Sequence, residues 1–218
     1  MPAMTTAIIG VGNLGGTVAR HLVDGGEPVV LAAKDEAHAK GLADELGPNA
    51  SAASVEDALA GADVVVLATW LDQTRELMPA QTRLLEDKVV VDPSNPIGFD
   101  QNGQIIRTLP EGQSSGSIVA GLLPRGAHYV KAFGTLGAVE QLATSANREP
   151  RIVLFYATDD DAAEATAQRL IRAAGFEPLK IGGLSEAGRI EGPDGELQGR
   201  ILDLDEARAT IANEGVEA

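Results

Sequence analysis

The chain has no cysteine in its 218 residues, which excludes disulfides, thiolate nucleophiles and cysteine-ligated metals. Aromatic residues are scarce, at 3% against a hydrophobic fraction of 44%. Such a core is built from Ala, Val, Leu and Ile in thin layers, which suits helices and buried strands better than an aromatic-rich sandwich. Positive charge is short as well: 17 Lys and Arg stand against 32 Asp and Glu, a formal charge of -15. A broad phosphate-binding face needs clustered bases, so neither nucleic acid nor a membrane surface is an expected partner. No apolar run approaches the ~20 residues that cross a bilayer. The N-terminus lacks the basic patch and apolar core of a signal peptide, and the expected location is cytoplasmic. His21, His38 and His128 are too scattered to converge on a metal. Neither a GxSxG elbow nor a GxxxxGK[ST] loop occurs, so hydrolase and phosphotransferase chemistry lack their usual parts.

Glycine, by contrast, is plentiful, with 25 residues. Gly10-Val11-Gly12-Asn13-Leu14-Gly15 follows a short apolar run at 6–9 and precedes a helical pattern. In that context the first glycine permits a tight turn and the second lets backbone approach a pyrophosphate. The third lets helix and strand pack closely, and the phosphates sit at the positive helix N-terminus. The pattern predicts a dinucleotide-binding loop.

Apolar runs suited to buried strands recur at 28–32, 63–69 and 88–92, separated by amphipathic segments at 13–24, 36–46, 55–60 and 72–85. The last of these is interrupted by Pro79. The alternation predicts an α/β fold, a Rossmann-type doubly wound parallel sheet with a small C-terminal α/β lobe. The expected division is 1–146 for the nucleotide-binding domain and 147–218 for the lobe. Further strands are expected at 128–133, 151–158, 178–181 and 201–204, with helices at 162–174 and 205–213. The stretch 101–117 reads as a loop, and Asp159-Asp160-Asp161 as a helix cap rather than a cation cluster.

The second strand ends in Ala33-Lys34-Asp35. A cation at Lys34 favours a ribose 2'-phosphate and hence NADP, whereas a shift of one residue would present Asp35 and favour NAD. Thr69-Trp70 and Asn95-Pro96 follow the fourth and fifth strands, at the sheet edge where nicotinamide is expected. The single tryptophan either covers the cofactor or anchors the next helix.

The glycine loop, Asn95-Pro96, Val130-Lys131-Ala132-Phe133 and Gly182-Gly183-Leu184-Ser185-Glu186-Ala187 together resemble the NADPH-dependent coenzyme F420 reductases, from about residue 6 to about 192. The resemblance implies hydride transfer between NADP(H) and a deazaflavin, with coenzyme F420 as co-substrate and orientation of two rings as the main catalytic device. Carried over by position, Gly10, Gly12, Asn13, Leu14 and Gly15 hold pyrophosphate, and Ala33 and Lys34 meet the 2'-phosphate. Thr69, Trp70, Asn95 and Pro96 flank nicotinamide. Ala132, Phe133, Thr135 and Gly137 border the acceptor ring. No side chain is assigned as a nucleophile, and the resemblance also suggests a homodimer. The chain departs from the family where Ala33-Lys34 replaces Ser-Arg, where Gly134 replaces Asn, and in its polar sequence after Glu191. Two other readings stand beside this one: an NADPH-dependent imine or carbonyl reductase, and a non-catalytic NADP-binding sensor.

Overall fold

A computed structural model describes residues 4–214. Strand and helix alternate through β1 (Thr6–Ile9), α1 (Asn13–Asp24), β2 (Val29–Ala32), α2 (Glu36–Leu46), β3 (Ala50–Ala52), α3 (Val55–Gly61), β4 (Val64–Leu67), α4 (Leu71–Gln81) and β5 (Val89–Asp92). A hairpin of β6 (Ile97–Phe99) and β7 (Ile105–Arg107) follows, then α5 (Ser115–Leu122), β8 (His128–Ala132) and a one-turn α6 (Ala143–Ser145). The chain ends with β9 (Val153–Ala157), α7 (Asp161–Ala173), β10 (Glu177–Gly182) and α8 (Leu204–Glu214).

Eight strands form one sheet in the order β10-β9-β8-β5-β4-β1-β2-β3. β1 to β5 and β8 run parallel, so their carboxyl ends open on one edge. The order reverses between β1 and β4, the kind of switch point at which open α/β sheets bind ligands. β9 turns antiparallel to β8, pairing Ala157 with Lys131 and Tyr156 with Ala132, and β10 runs parallel to β9. The chain on both sides of residue 146 thus contributes to a single sheet.

The side-chain period of two divides the core. Val64 and Val66 enter a layer with Val18 and Leu22 of α1, Leu42 of α2 and Leu170 of α7. Val65 and Leu67 enter the opposite layer with Leu59 of α3, Met78 of α4 and Val119 of α5. All four β4 residues are buried, which is why that strand is apolar on both faces. A third cluster joins Val153, Phe155 and Ile181 to Ala207 of α8.

The Rossmann-type α/β class is the one observed, and the strands expected at 6–9, 28–32, 63–69 and 88–92 are β1, β2, β4 and β5. Three local expectations are corrected. The stretch 101–117 is not all loop, because it holds β7 and the start of α5. The apolar run 201–204 is no strand: Leu202 supplies one carbonyl to Val153 and α8 begins at Leu204. The interruption expected in 72–85 is observed, since α4 contains Pro79, ends at Gln81 and is followed by a 3₁₀ turn, Thr82–Leu85. β3, of only three residues, escaped a pattern search that relies on longer apolar runs. Of the three aspartates Asp160 caps α7, its Oδ1 accepting from the Ala163 amide at 2.9 Å, and Asp161 stands in the first turn of that helix, whereas Asp159 accepts from the distant Leu184 amide at 3.0 Å.

Candidate functional site

The glycine loop joins β1 to α1 at the carboxyl edge. Gly10 has φ +96°, and a Cβ there would lie 2.5 Å from the Ala68 carbonyl oxygen. A Cβ on Gly15 would overlap the Gly10 carbonyl and come within 2.9 Å of Ala68 Cβ. Gly12 differs, since a Cβ on it would meet nothing within 4 Å. The first and third glycines therefore fold the loop tightly against β4, while the second faces open space. Gly12 is also the N-cap of α1, and no side chain bonds into that cap. The amides of the first helical turn, including Asn13, Leu14 and Gly15, have no partner within an α-helix and point along a positive dipole end. An open, backbone-lined helix start with no competing side chain fits a pyrophosphate.

Beyond β2, Ala33 is half-buried and Lys34 exposed. Asp35 is the N-cap of α2, where Oδ1 accepts from the His38 amide at 3.0 Å. The carboxylate is engaged with its own helix, and the neighbouring ammonium of Lys34 stands in solvent at the strand end. Thr69 packs beside Gly10, and its hydroxyl is 2.7 Å from that of Thr74. Trp70 supplies the N-cap of α4 through its carbonyl, 2.9 Å from the Thr74 amide. Its indole turns outward and meets Phe99 of the hairpin.

The loop after β5 is held by different means. Asp92 is fully buried, and its Oδ1 accepts from the Ser94 amide at 2.8 Å. Lys131, 1% exposed, donates to Asp92 Oδ2 at 3.2 Å, to Ser115 Oγ at 3.0 Å and to the Ser94 carbonyl. Tyr129 donates its hydroxyl to Asp92 Oδ2 at 2.7 Å. Burial, and next the Asp92 carboxylate, push that phenol well above its ordinary range. Glu191, also fully buried, approaches Lys131 at 3.6 Å and accepts from the Ser115 and Gly116 amides at 2.9 and 2.8 Å. The buried cation is thus shared by carboxylates from β5 and from the chain after β10. Asn95 completes the brace: it donates to the Gly134 carbonyl at 2.8 Å and accepts from the Gly192 amide at 2.9 Å. Pro96 is buried beside it. Glu191 went unnoticed in the sequence because nothing local sets it apart from the chain's many other acids.

Ala132 ends β8, and Phe133 adopts φ +67°, a left-handed backbone that costs a non-glycine residue about 1–3 kcal/mol. Gly134 must lack a side chain, since a Cβ would lie 2.5 Å from the Pro93 carbonyl oxygen. Ala132, Phe133 and Thr135 are 1%, 0% and 1% exposed, whereas Gly137 is exposed. Thr135 Oγ1 and Ser94 Oγ are buried without a hydrogen-bond partner. The following segment packs on α1: His21 Nε2 lies 3.1 Å from the Leu142 carbonyl and its ring meets Phe176 edge-on. His21 is therefore half-buried. Among the described residues no group of His, Asp and Glu is placed to hold a metal, and no helix is long and apolar enough to cross a membrane.

The switch point, the glycine cradle and the bare helix start define an NAD(P)-binding Rossmann protein. Residues 5–96 match the family model described as NADP oxidoreductase, coenzyme F420-dependent. The F420-dependent NADP reductase of Methanothermobacter thermautotrophicus is 28% identical over 200 residues, covering 86% of this chain and 85% of that protein. Metalloreductase STEAP3 of Rattus norvegicus is 27% identical over 189 residues, 87% of this chain, but the chain spans only 36% of that protein. The crystal structure of hypothetical protein SMa0349 from Sinorhizobium meliloti superposes with a TM-score of 0.79 at 30% identity, covering 92% of this chain and 95% of that one. The chain is thus similar to the F420-dependent NADP oxidoreductases, through the family model over residues 5–96 and through distant relatives over most of its length.

Proposed function

We propose that this protein binds NADP(H) across the glycine loop and exchanges hydride between nicotinamide and a deazaflavin or flavin-like acceptor. The observation that carries the reading is the division of labour among Gly10, Gly12 and Gly15, with two glycines closed by packing and one left open at the start of α1. When bound, the dinucleotide supplies the hydride. The chain's part is to bind and orient. The first-turn amides of α1 receive the pyrophosphate, and Lys34 meets the 2'-phosphate, a role supported by the diversion of Asp35 into helix capping. Thr69, Asn95 and Pro96 stand at the carboxyl edge where nicotinamide lies in this fold. Asn95 acts there by fixing its loop, because both ends of its amide are engaged by backbone. Lys34 offers one ammonium where the family has a guanidinium fork, which supports a weaker preference for the 2'-phosphate.

The test follows NADPH and NADH binding, and NADPH oxidation by coenzyme F420, FMN and FAD. Expected are tighter binding of NADPH than NADH and oxidation by at least one ring acceptor. Lys34→Ala should weaken NADPH binding by about tenfold, on the order of 1.4 kcal/mol, and leave NADH binding unchanged. An equal loss for both nucleotides would refute the phosphate role. Binding of NADPH without oxidation by any ring would favour the sensor reading, and turnover confined to small imines would favour the imine reductase.

A further inference from the structure

Lys131 is already satisfied without Glu191. An ammonium has three hydrogens to donate, and those of Lys131 meet Asp92 Oδ2, Ser115 Oγ and the Ser94 carbonyl. Glu191 Oε1 stands farther off, at 3.6 Å. The start of α5 is likewise capped from within, since the Ser114 hydroxyl accepts from the Ser117 amide at 3.2 Å. Glu191 nevertheless reaches this point from about 75 positions along the chain and takes the Ser114 hydroxyl at 2.8 Å beside the Ser115 and Gly116 amides. Gly116 leaves the room, because a Cβ there would lie 3.2 Å from Glu191 Oε1 and 3.0 Å from the Tyr129 hydroxyl. A second carboxylate buried against one lysine is a poor source of stability, since desolvation offsets much of its attraction; the best-attested gain from a buried charge is a fixed register.

The register at stake is that of the next residue. The Gly192 amide donates to Asn95 Oδ1 at 2.9 Å, and Asn95 Nδ2 donates to the Gly134 carbonyl at 2.8 Å. Residues 191 and 192 therefore grip two different elements, Glu191 the start of α5 and Gly192 the loop after β5. On one side the segment is anchored by Ala187 and Ile190 in the third apolar cluster. On the other, the Gly195 amide closes onto the Glu191 carbonyl at 2.8 Å. A slip of one residue would bring Ile190 or Gly192 to the place of the carboxylate, where neither has a side chain able to accept, and would carry the donor away from Asn95.

We propose that Glu191 is a positioning residue for the nicotinamide end of the site. Its buried carboxylate sets the chain after β10 so that the Gly192 amide meets Asn95, and Asn95 in turn holds the Ser94–Pro96 loop against which the nicotinamide ring lies. This inference rests on the reading above, in which that loop flanks nicotinamide. Glu191 is 0% exposed, so it acts through Asn95 rather than by touching either ring. The chain after β10 thereby sets the geometry of hydride transfer at an edge built by β4 and β5, where a displacement of about 1 Å costs up to about 100-fold in rate.

Glu191→Gln keeps the shape of the side chain and removes its charge. With coenzyme F420 or FMN as acceptor, kcat/KM should fall about tenfold, while the Kd for NADPH rises by less than about threefold because the pyrophosphate is held at α1. The fluorescence of bound NADPH should also shift, since the emitting nicotinamide then lies in a changed setting. Both readouts are taken at a temperature where circular dichroism shows the variant folded. Because Glu191 acts through Asn95, Glu191→Gln combined with Asn95→Ala should lose no more kcat/KM than the worse single variant. Losses that multiply would overturn the proposal, as would wild-type kcat/KM and emission in a Glu191→Gln variant whose only defect is a lower Tm. If Glu191→Gln does not fold, Gly116→Ala, which crowds Oε1 and keeps the charge, should give the same signature at about threefold; wild-type kcat/KM and emission there would overturn it equally. NADPH binding without oxidation by either ring would sink the oxidoreductase reading and leave the emission comparison to decide the positioning role. Failure of the wild-type chain to bind NADPH would remove both.

Discussion

Two loops at the carboxyl edge of the sheet, after β1 and after β5, are made rigid by opposite means. The glycine loop after β1 is shaped by missing side chains, with Gly10 and Gly15 pressed against Ala68 and against each other. The loop after β5 is shaped by added charge, with Asp92, Lys131 and Glu191 all buried and hydrogen-bonded to the backbone of Ser94, Ser115 and Gly116. Each fits the role proposed for it: a wall meant for an anionic pyrophosphate must stay open and donate amides, whereas a wall proposed only to set a ring's height can be filled and locked. The first depends on sterics within a short segment; the second depends on residues almost a hundred positions apart.

The comparison breaks most visibly at Lys131. Lys131→Met leaves two buried carboxylates without their cation, and urea unfolding should show a loss of about 3–5 kcal/mol. A loss below about 1 kcal/mol would show that the charges are incidental to the fold. Gly15→Ala comes next, since a Cβ overlapping the Gly10 carbonyl must push β1 and α1 apart at a cost of about 1–3 kcal/mol. Calorimetry should find NADPH affinity falling with stability. Retention of full affinity would deny the loop its role.

At Asn95, Asn95→Ala strips partners from the Gly192 amide and the Gly134 carbonyl, at a cost of about 1–3 kcal/mol for buried groups. Its expected signature is a poorer KM for the acceptor with a smaller loss of NADPH affinity, because the loop that Asn95 fixes is proposed to flank nicotinamide while the pyrophosphate is held elsewhere, and an unchanged KM would deny the brace its role.

The smallest effect is confined to alkaline pH. An unfolded Tyr129 ionises near pH 10, but the folded phenol, buried beside Asp92, keeps its proton. The folded state then holds more protons than the unfolded one, so stability declines as pH rises above about 10. Tyr129→Phe should make that decline shallower in pH-dependent denaturation while costing about 1 kcal/mol at neutral pH. An unchanged alkaline slope would show that Tyr129 does not control it.

The glycine wall was legible in the sequence and the charged wall was not. Gly10-Val11-Gly12-Asn13-Leu14-Gly15 announces itself because its requirements are local: a positive φ, a close approach and an open helix start all fall within six residues. Lys131 was visible as part of a family motif, yet its burial was not, since a lysine between Val130 and Ala132 reads equally well on a solvated strand. The hairpin was missed because β6 and β7 have three residues each and lie in a stretch rich in Gly and Gln. Trp70 is a plainer case. Neither role assigned to it, covering the cofactor or anchoring the next helix, pointed to Phe99 of the hairpin, which its ring meets.

By itself the amino-acid sequence determined the alternation of strands and helices, the two-sided burial of β4 and the backbone cradle between β1 and α1. Those features follow from periodicity and local conformational freedom, which neighbouring residues encode directly. The tertiary structure alone decided that Glu191 returns to share Lys131 with Asp92, that Asn95 ties residue 134 to residue 192, and that Trp70 faces Phe99. These meetings depend on the order of strands in the sheet and on where an antiparallel β9 sends the chain. No local preference specifies which distant groups share a low-dielectric interior, because burial energy rewards any partner able to satisfy a buried charge.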